Sequence, residues 1–388
     1  MNSIFFRAAA CLLTLSMCDN AAAQSDATIY GVMDAAVLRA NDTSGNSCTY
    51  MRSGNQLASR IGFKGVEELG GGTQVLYVLE AGVNLDTGAA PQSGSIFNRQ
   101  SYIALSDRRL GTLVVGRQYP TYYQFVGLLV RAGAPTGSTD AHPGDIDGLD
   151  AASRFSNSVG YTTPEWRGVQ FGFVAGSGEQ GRDQANGDAF SAAARYHTGP
   201  WNFALGYQLL TNGPDRISWD PSVSGSLSRS ALNDGYLSAE TVRSIAAASR
   251  LSAGKLSLSG AVSNVQYKPD TASRFTDIAS FNTVGATVTW QTSTAWLLGA
   301  SVSCTRENIA NGIKVPANYR QLSLEQIYVL SRRANFYLAQ ARQIARGSTL
   351  GANGQPVAAV AVVGDSQLAT PSSTGRQNVF MAGLRYNF

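Results

Sequence analysis

Over much of this chain, large or apolar residues fall on every second position. Val169, Phe171, Phe173 and Ala175 alternate with Gln170, Gly172 and Val174. Trp201, Phe203, Leu205, Tyr207 and Leu209 alternate with Asn202, Ala204, Gly206 and Gln208, and Val284, Ala286, Val288 and Trp290 alternate with Thr283, Gly285, Thr287 and Thr289. The last segment runs Phe380, Ala382, Leu384, Tyr386 and Phe388, with Met381, Gly383, Arg385 and Asn387 between them. A period of two is a strand with one apolar face. The second face holds mostly Gly, Ser, Thr, Asn and Gln, whereas a soluble sandwich usually carries more charge there. A terminal aromatic is out of place where soluble chains fray in water. It fits the interfacial girdle of a barrel in lipid.

The connections alternate in length. Tight ones fall at Leu69-Gly70-Gly71-Gly72, Arg108–Gly111, Pro164–Gly168, Thr198-Gly199-Pro200 and Ser331–Ala334; long ones run near 40–56, 119–151, 212–243, 307–317 and 344–374. Short turns at one end and long loops at the other belong to outer-membrane barrels. The pattern predicts an all-β fold, a closed transmembrane antiparallel β-barrel of about sixteen strands, a size that leaves an aqueous lumen.

Composition agrees. Of 388 residues only 14% are charged, against roughly 25% in soluble domains. Glycine (41), tyrosine (16) and phenylalanine (15) are plentiful. Mean hydropathy is -0.09, and no apolar run reaches the ~18–20 residues of a membrane helix. Residues 1–23 read as a signal peptide, with basic Arg7, an apolar stretch Ala8–Leu15 and a cleavage site at Ala21-Ala22-Ala23. The mature barrel is then expected over 24–388, with Cys48 and Cys304 left as its cysteines. The net charge of +4 carries no dense Lys/Arg stripe, so no nucleic-acid partner is expected.

Several motifs make a resemblance specific. Tyr30-Gly31-Val32-Met33-Asp34, the run Ser59-Arg60-Ile61-Gly62-Phe63-Lys64 through Gly72, Phe97-Asn98-Arg99-Gln100-Ser101-Tyr102, Val115-Gly116-Arg117-Gln118, Asn157–Tyr161 and Tyr328–Arg333 stand in this order. The chain resembles the general diffusion porins of Gram-negative beta-proteobacteria over essentially its whole length. That resemblance implies a cell outer-membrane location among lipid and lipopolysaccharide, a homotrimer, and a third loop, 119–151, folded into each pore. It also implies a water-filled channel for passive transport of small ions and hydrophilic solutes, with Phe388 as the signal read by the barrel-assembly machinery. Asn387 departs from the pattern, in which a basic residue is commoner before the final phenylalanine, and the mature cysteines are unusual.

Charge placement follows from strand parity. Ile61 and Phe63 share one face, leaving Arg60 and Lys64 on the other. Tyr102 and Ala104 are assigned outward, leaving Arg99 inside; Phe155, Val159 and Tyr161 are assigned outward, leaving Arg154, Ser156 and Ser158 inside. An arginine facing the bilayer midplane costs roughly 2–4 kcal/mol, so these arginines are expected in the lumen. The resemblance implies an arginine cluster at the constriction, matched here by Arg60, Arg99 and Arg154, with Glu80 as a nearby acid and Lys64 and Arg117 as further basic candidates. Asp140, Asp145, Asp147 and Asp150, on the 119–151 loop, are expected to face them. The basic wall is expected to give a moderate anion preference.

No enzyme is expected. The only histidines are His142 and His197, no G-x-S-x-G elbow is present, and neither histidine has metal-ligand spacing. No cofactor or metal is expected either. The alternatives are a substrate-specific channel, for which Tyr119, Tyr122, Tyr123 and Phe125 would form an aromatic track, and a plugged structural or adhesive barrel.

Overall fold

The computed structural model describes residues 26–41, 46–91, 94–131, 137–150, 153–178, 187–213, 229–364 and 371–388. The expected signal peptide lies outside the described residues. The first half holds β1 (Asp26–Asn41), β2 (Ser47–Ser53), β3 (Arg60–Gly70), β4 (Thr73–Gly82), β5 (Gln100–Asp107), β6 (Gly111–Gln118), β7 (Phe155–Thr162), β8 (Val169–Gly176) and β9 (Ala189–Thr198). The second holds β10 (Trp201–Thr211), β11 (Thr241–Ala253), β12 (Leu256–Lys268), β13 (Ala279–Gln291), β14 (Trp296–Glu307), β15 (Asn318–Val329) and β16 (Ala334–Arg346). A small hairpin, β17 (Ser348–Leu350) with β18 (Pro356–Ala358), lies in the last loop before β19 (Arg376–Asn387).

Each strand pairs antiparallel with its neighbour, and β1 closes the ring by pairing with β19. The sheet has 17 strands. β2 and β3 both pair with β1, β2 along its upper half and β3 along its lower half, so together they occupy one position in the wall. The wall is therefore a closed barrel of sixteen antiparallel strand positions. Closure pairs both edges of every strand position in the wall except along β2, which pairs with β1 alone at the long-loop end; hydrocarbon demands such closure of a spanning sheet.

The alternation sorts side chains as expected in β8, β10, β13 and β19. Phe171, Phe173, Phe203, Leu205, Trp290, Phe380 and Leu384 point outward and are exposed, while Gly172, Ala204, Thr287 and Gly383 face the interior. At the terminus, Phe388 exchanges both backbone hydrogen bonds with Gly31 (3.1 Å each) and stacks on Tyr386. A Cβ at Gly31 would lie 2.4 Å from the Phe388 ring, so glycine makes the room that seals β1 to the chain's end.

Two parity assignments are corrected. In β5 it is Ile103 and Leu105, 56% and 46% exposed, that face outward; Tyr102 and Ala104 face inward. In β7, Phe155 is completely buried inside rather than outward. The cause is a register shift between Gly116 and Gln118, opposite Asn157, whose φ of 47° is left-handed. A bulge inserts a residue and flips parity beyond it, so Val159 stays outward while Phe155 turns in. Long connections also join β4 to β5, β8 to β9 and β12 to β13, which the sequence pattern did not mark.

The interior of the upper half is not empty. Phe155, Tyr236, Tyr267, Phe281, Tyr319 and Val362 belong to one buried apolar cluster built from the inward faces of β7 to β16 and the long loops above them. The Tyr236 ring lies edge-on to Phe275 (5.1 Å) and Phe281 (6.0 Å). Each such buried aromatic removes about 150–250 Å² from water, so these loops are held by a dry core of their own.

Candidate functional site

The arginine assigned by parity on β3 and the one preceding β5 meet at a single carboxylate. Glu80, on β4, is buried. Its Oε1 accepts from Arg99 Nε at 2.7 Å, and its Oε2 lies 3.8 Å from Arg60 Nε and accepts from Tyr30 Oη at 2.9 Å. The cross-strand register explains Glu80: it sits opposite Gly62, between Arg60 and Lys64 on the inner face of β3. Arg99 is placed differently. It precedes β5, its backbone N–H donates to the Glu80 carbonyl at 3.1 Å, and the chain there is not bound by strand parity. It reaches the interior although Tyr102 and Ala104 do too.

Arg99 Nη2 also donates to Tyr119 Oη at 2.8 Å, at the root of the 119–151 segment. The Arg154 guanidinium lies over the same ring, 5.3 Å from its centroid, and Tyr123 packs beside it at 5.0 Å. Arg117 donates to the Asn98 carbonyl (2.9 Å) and to Ser156 Oγ (2.5 Å). Arg60, Arg99, Arg117 and Arg154 thus gather about Tyr119, with Glu80 paired to Arg60 and Arg99. Lys64 stands apart, exposed toward the short-turn end with its ammonium 5.4 Å from the Tyr30 ring.

The loop aspartates lie along the other side. Asp147 Oδ2 bonds His142 Nδ1 and accepts from Ser263 Oγ of β12, each at 2.6 Å. Asp140 receives Thr287 Oγ1 of β13 at 3.3 Å. Asp145 Oδ1 caps the Asp150 backbone N–H at 2.9 Å, and both carboxylates are buried. Burial pulls the His142 imidazole down, but the Asp147 carboxylate more than offsets it, leaving His142 above its ordinary range. In Asp147 burial pulls upward and His142 prevails, holding the carboxyl below its usual range. Gly285 makes room for the ring: a Cβ there would lie 2.3 Å from His142 Nε2.

Further described parts of the segment lie on the inward faces of β9 to β15. Its helical stretch, Tyr123–Gly127 continuing as Leu128–Arg131, packs with Tyr122 on Ala193, Ala204, Ala246 and Ala248. Tyr122 N donates to Ser191 Oγ of β9 (2.8 Å). Gln321 Nε2 and Ser323 Oγ of β15 both donate to the Thr139 carbonyl, at 2.8 and 2.5 Å.

Two supports were not visible in the sequence. Between β2 and β3, residues 54–59 leave the wall and tuck inward. Asp34 Oδ2 accepts the backbone N–H groups of Gln56 and Leu57, both at 2.8 Å, while Tyr337 Oη donates to Oδ1 at 2.6 Å. Gln56 Nε2 donates to Glu325 Oε1 at 2.9 Å. The tuck in turn seats the loop: Ser138 N donates to the Asn55 carbonyl at 2.7 Å, and a Cβ at Gly137 would lie 2.5 Å from that oxygen. The second support is the last loop, whose Val362 exchanges hydrogen bonds with the Gln343 side chain (2.8 and 2.6 Å). Cys48 and Cys304 are both free thiols.

Comparison with known proteins agrees with this architecture. The chain is 31% identical over 215 residues to an outer membrane porin protein of Bordetella pertussis, covering 49% of this chain and 55% of that one. It is 29% identical over 203 residues to outer membrane porin protein 32 of Delftia acidovorans, covering 50% and 57%. The matched region spans about half the length of these curated relatives. The fold is similar to that of an anion-selective porin from Comamonas acidovorans, with a TM-score of 0.71 at 21% identity, over 94% of this chain and 100% of that one. At that identity the likeness is one of fold. A family model described as Gram-negative porin matches residues 8–348, and with its closed antiparallel barrel the chain belongs to that family.

Proposed function

We propose that the protein is a general diffusion channel, carrying small hydrophilic solutes and ions passively across the outer membrane with a moderate preference for anions. The observation that carries this reading is the convergence of Arg60, Arg99, Arg117 and Arg154 beside Tyr119, where Glu80 is the bonded carboxylate. Low-dielectric walls focus such a field, and the Debye length of about 8 Å at physiological ionic strength leaves wall charge only partly screened across a narrow passage. The 119–151 loop narrows the passage, and its Asp147 and Asp140 are spent on holding it to β12 and β13. Transport of this kind needs no bond chemistry, no cofactor and no metal. The anion selectivity in the name of the Comamonas relative agrees with this reading, as does the trimeric assembly expected of the chain. Residues 1–23 are read as the export signal and Phe388 as the mark for barrel assembly.

The test is the zero-current potential of reconstituted protein across a salt gradient. The expected sign is that of anion preference, shrinking as salt rises toward 1 M, where the Debye length falls to about 3 Å. A firm cation preference, or no conductance, overturns the proposal. The apolar cluster above the passage favours a second reading, a channel selective for one solute class. Saturable block of single-channel current by that class would separate it from the first.

A further inference from the structure

Below the loop, on the wall that carries it, two more arginines face the lumen. The helical stretch rests on Ala193, Ala204 and Ala248, inward residues of β9, β10 and β11. The next inward positions toward the short-turn end are Arg195, Asn202 and Arg250. The register confirms their face: Arg195 pairs with Ala204, and Arg250 pairs with Asn202 on one side and Ser259 on the other. Two strand spacings of about 4.8 Å and two residues of about 3.4 Å put the two arginine backbones roughly 12 Å apart.

Neither charge is neutralised. Strands β8 to β13 contain no Asp or Glu at any position. Among the described residues no carboxylate lies within ion-pair distance of either guanidinium. Glu165, in the turn before β8, lies 3.5 Å from His197 instead. The contacts the two arginines do make are with neutral groups. Arg195 Cζ stands 5.1 Å from the centroid of the Phe125 ring, and Arg250 Nε donates to Ser257 Oγ at 2.8 Å. A ring face and a hydroxyl steady a guanidinium and leave its charge whole. Arg195 is exposed and Arg250 half-buried, and both point inward, so that exposure is to the lumen.

The pair also stands at its own height. Arg60 is ten residues above Gly70, whereas Arg195 is four residues from Gly199 and Arg250 four from Gly254. Six residues of a strand tilted about 40° cover roughly 16 Å along the barrel axis. That is longer than the Debye length of about 8 Å, so the field of this pair is separate from that of the cluster about Tyr119.

We propose that Arg195 and Arg250 form a second anion station, at the periplasmic mouth and on the wall opposite the first. Short turns mark the periplasmic end of such a barrel. An anion leaving the constriction crosses from the β3–β7 wall to this pair before it reaches the periplasm. Guanidinium is always charged and weakly hydrated, and it matches carboxylate and phosphate oxygens in paired hydrogen bonds. The inference rests on the diffusion-channel reading above and deepens it. Selectivity is set twice, so it depends on which mouth faces the dilute bath.

The experiment records single channels of the full barrel between about 1 M and about 0.1 M KCl and then exchanges the two baths. At about 0.1 M the Debye length is about 10 Å, so charge at one mouth selects ions best when the dilute bath is on its own side. The wild type should give two zero-current potentials of unequal size. Arg195→Gln/Arg250→Gln should lower the anion-to-cation permeability ratio about threefold in the orientation with the larger potential, the scale of one kT of wall potential. The other orientation should barely move, while Arg60→Gln should lower both. Arg195→Lys/Arg250→Lys keeps the charge and should keep both potentials, which separates charge from packing on Phe125. Each single Gln variant should give a smaller shift of the same sign, and these decide should the double variant fail to fold. An unchanged larger potential in the Gln variants, or an equal fall in both orientations, overturns the proposal. A cation-preferring wild type overturns the function proposed above instead, and a one-sided shift toward cations in the Gln variants would still support the pair.

Discussion

The two sides of the lumen are built on opposite plans. On the β3–β7 side, arginines stand on the wall: the Arg60 side chain keeps 18% of its surface in contact with solvent, while Arg99 beside it is buried. On the β9–β16 side, many inward residues are small or neutral, such as Ala204, Ser263, Ser323 and Gln343, the acids Glu307 and Glu325 are buried, and loops cover many of these positions. In the proposed function, the first wall acts on a passing ion and the second holds the loop that confines the ion to the first. The difference teaches that charge and narrowness at the constriction come from separate halves of the molecule, each with its own stabilising contacts.

That separation can be broken from either half. The largest effect is expected at Tyr236, whose removal opens a cavity in the dry core. Tyr236→Ala should cost about 3–5 kcal/mol of stability, read as a lower temperature of barrel unfolding, with anion preference kept. Next comes the seat of the loop. Asp34→Ala leaves the Gln56 and Leu57 amides and the Tyr337 hydroxyl without their acceptor, at roughly 1.5–3 kcal/mol. Single-channel current should become larger and noisier; an unchanged current would mean that the tuck does not position the loop.

Changes on the basic wall should move selectivity, and at Arg99 the loss of its buried pair with Glu80 should also cost about 3–5 kcal/mol of stability. Arg99→Glu should shift the anion-to-cation permeability ratio about fivefold toward cations, the scale of one to two kT of wall potential. No shift would remove Arg99 from the passage. The smallest effect is pH. His142 is raised by its partner, so the tether it makes is complete below the ordinary imidazole range and is lost as pH rises through its higher folded value. Asp147 is lowered, so its share is lost only in strong acid. Current noise should therefore grow on the alkaline side, and Asp147→Asn should abolish that dependence.

Much of the wall was legible in the sequence, because facing oil and water in turn imposes period two residue by residue. Trp201 to Leu209 and Phe380 to Phe388 could be placed by parity alone. Parity failed where the backbone departs from a regular strand. The left-handed turn at Asn157 reversed Phe155, and the inward position of Arg99 was reached through a wrong assignment of Tyr102. The tuck at 54–59 and the descent of Val362 onto Gln343 leave no periodic trace. They depend on contacts between segments far apart in sequence, such as Gln56 with Glu325.

The two-wall account is tested most directly by asking which inward position meets the current. In a Cys48→Ser, Cys304→Ser background, Arg60→Cys and Ser323→Cys would each be exposed to a negatively charged methanethiosulfonate reagent during bilayer recording. Modification at position 60 should reduce the current and its anion preference, while position 323, bonded beneath Thr139, should stay silent. A response at 323 with none at 60 would contradict the account.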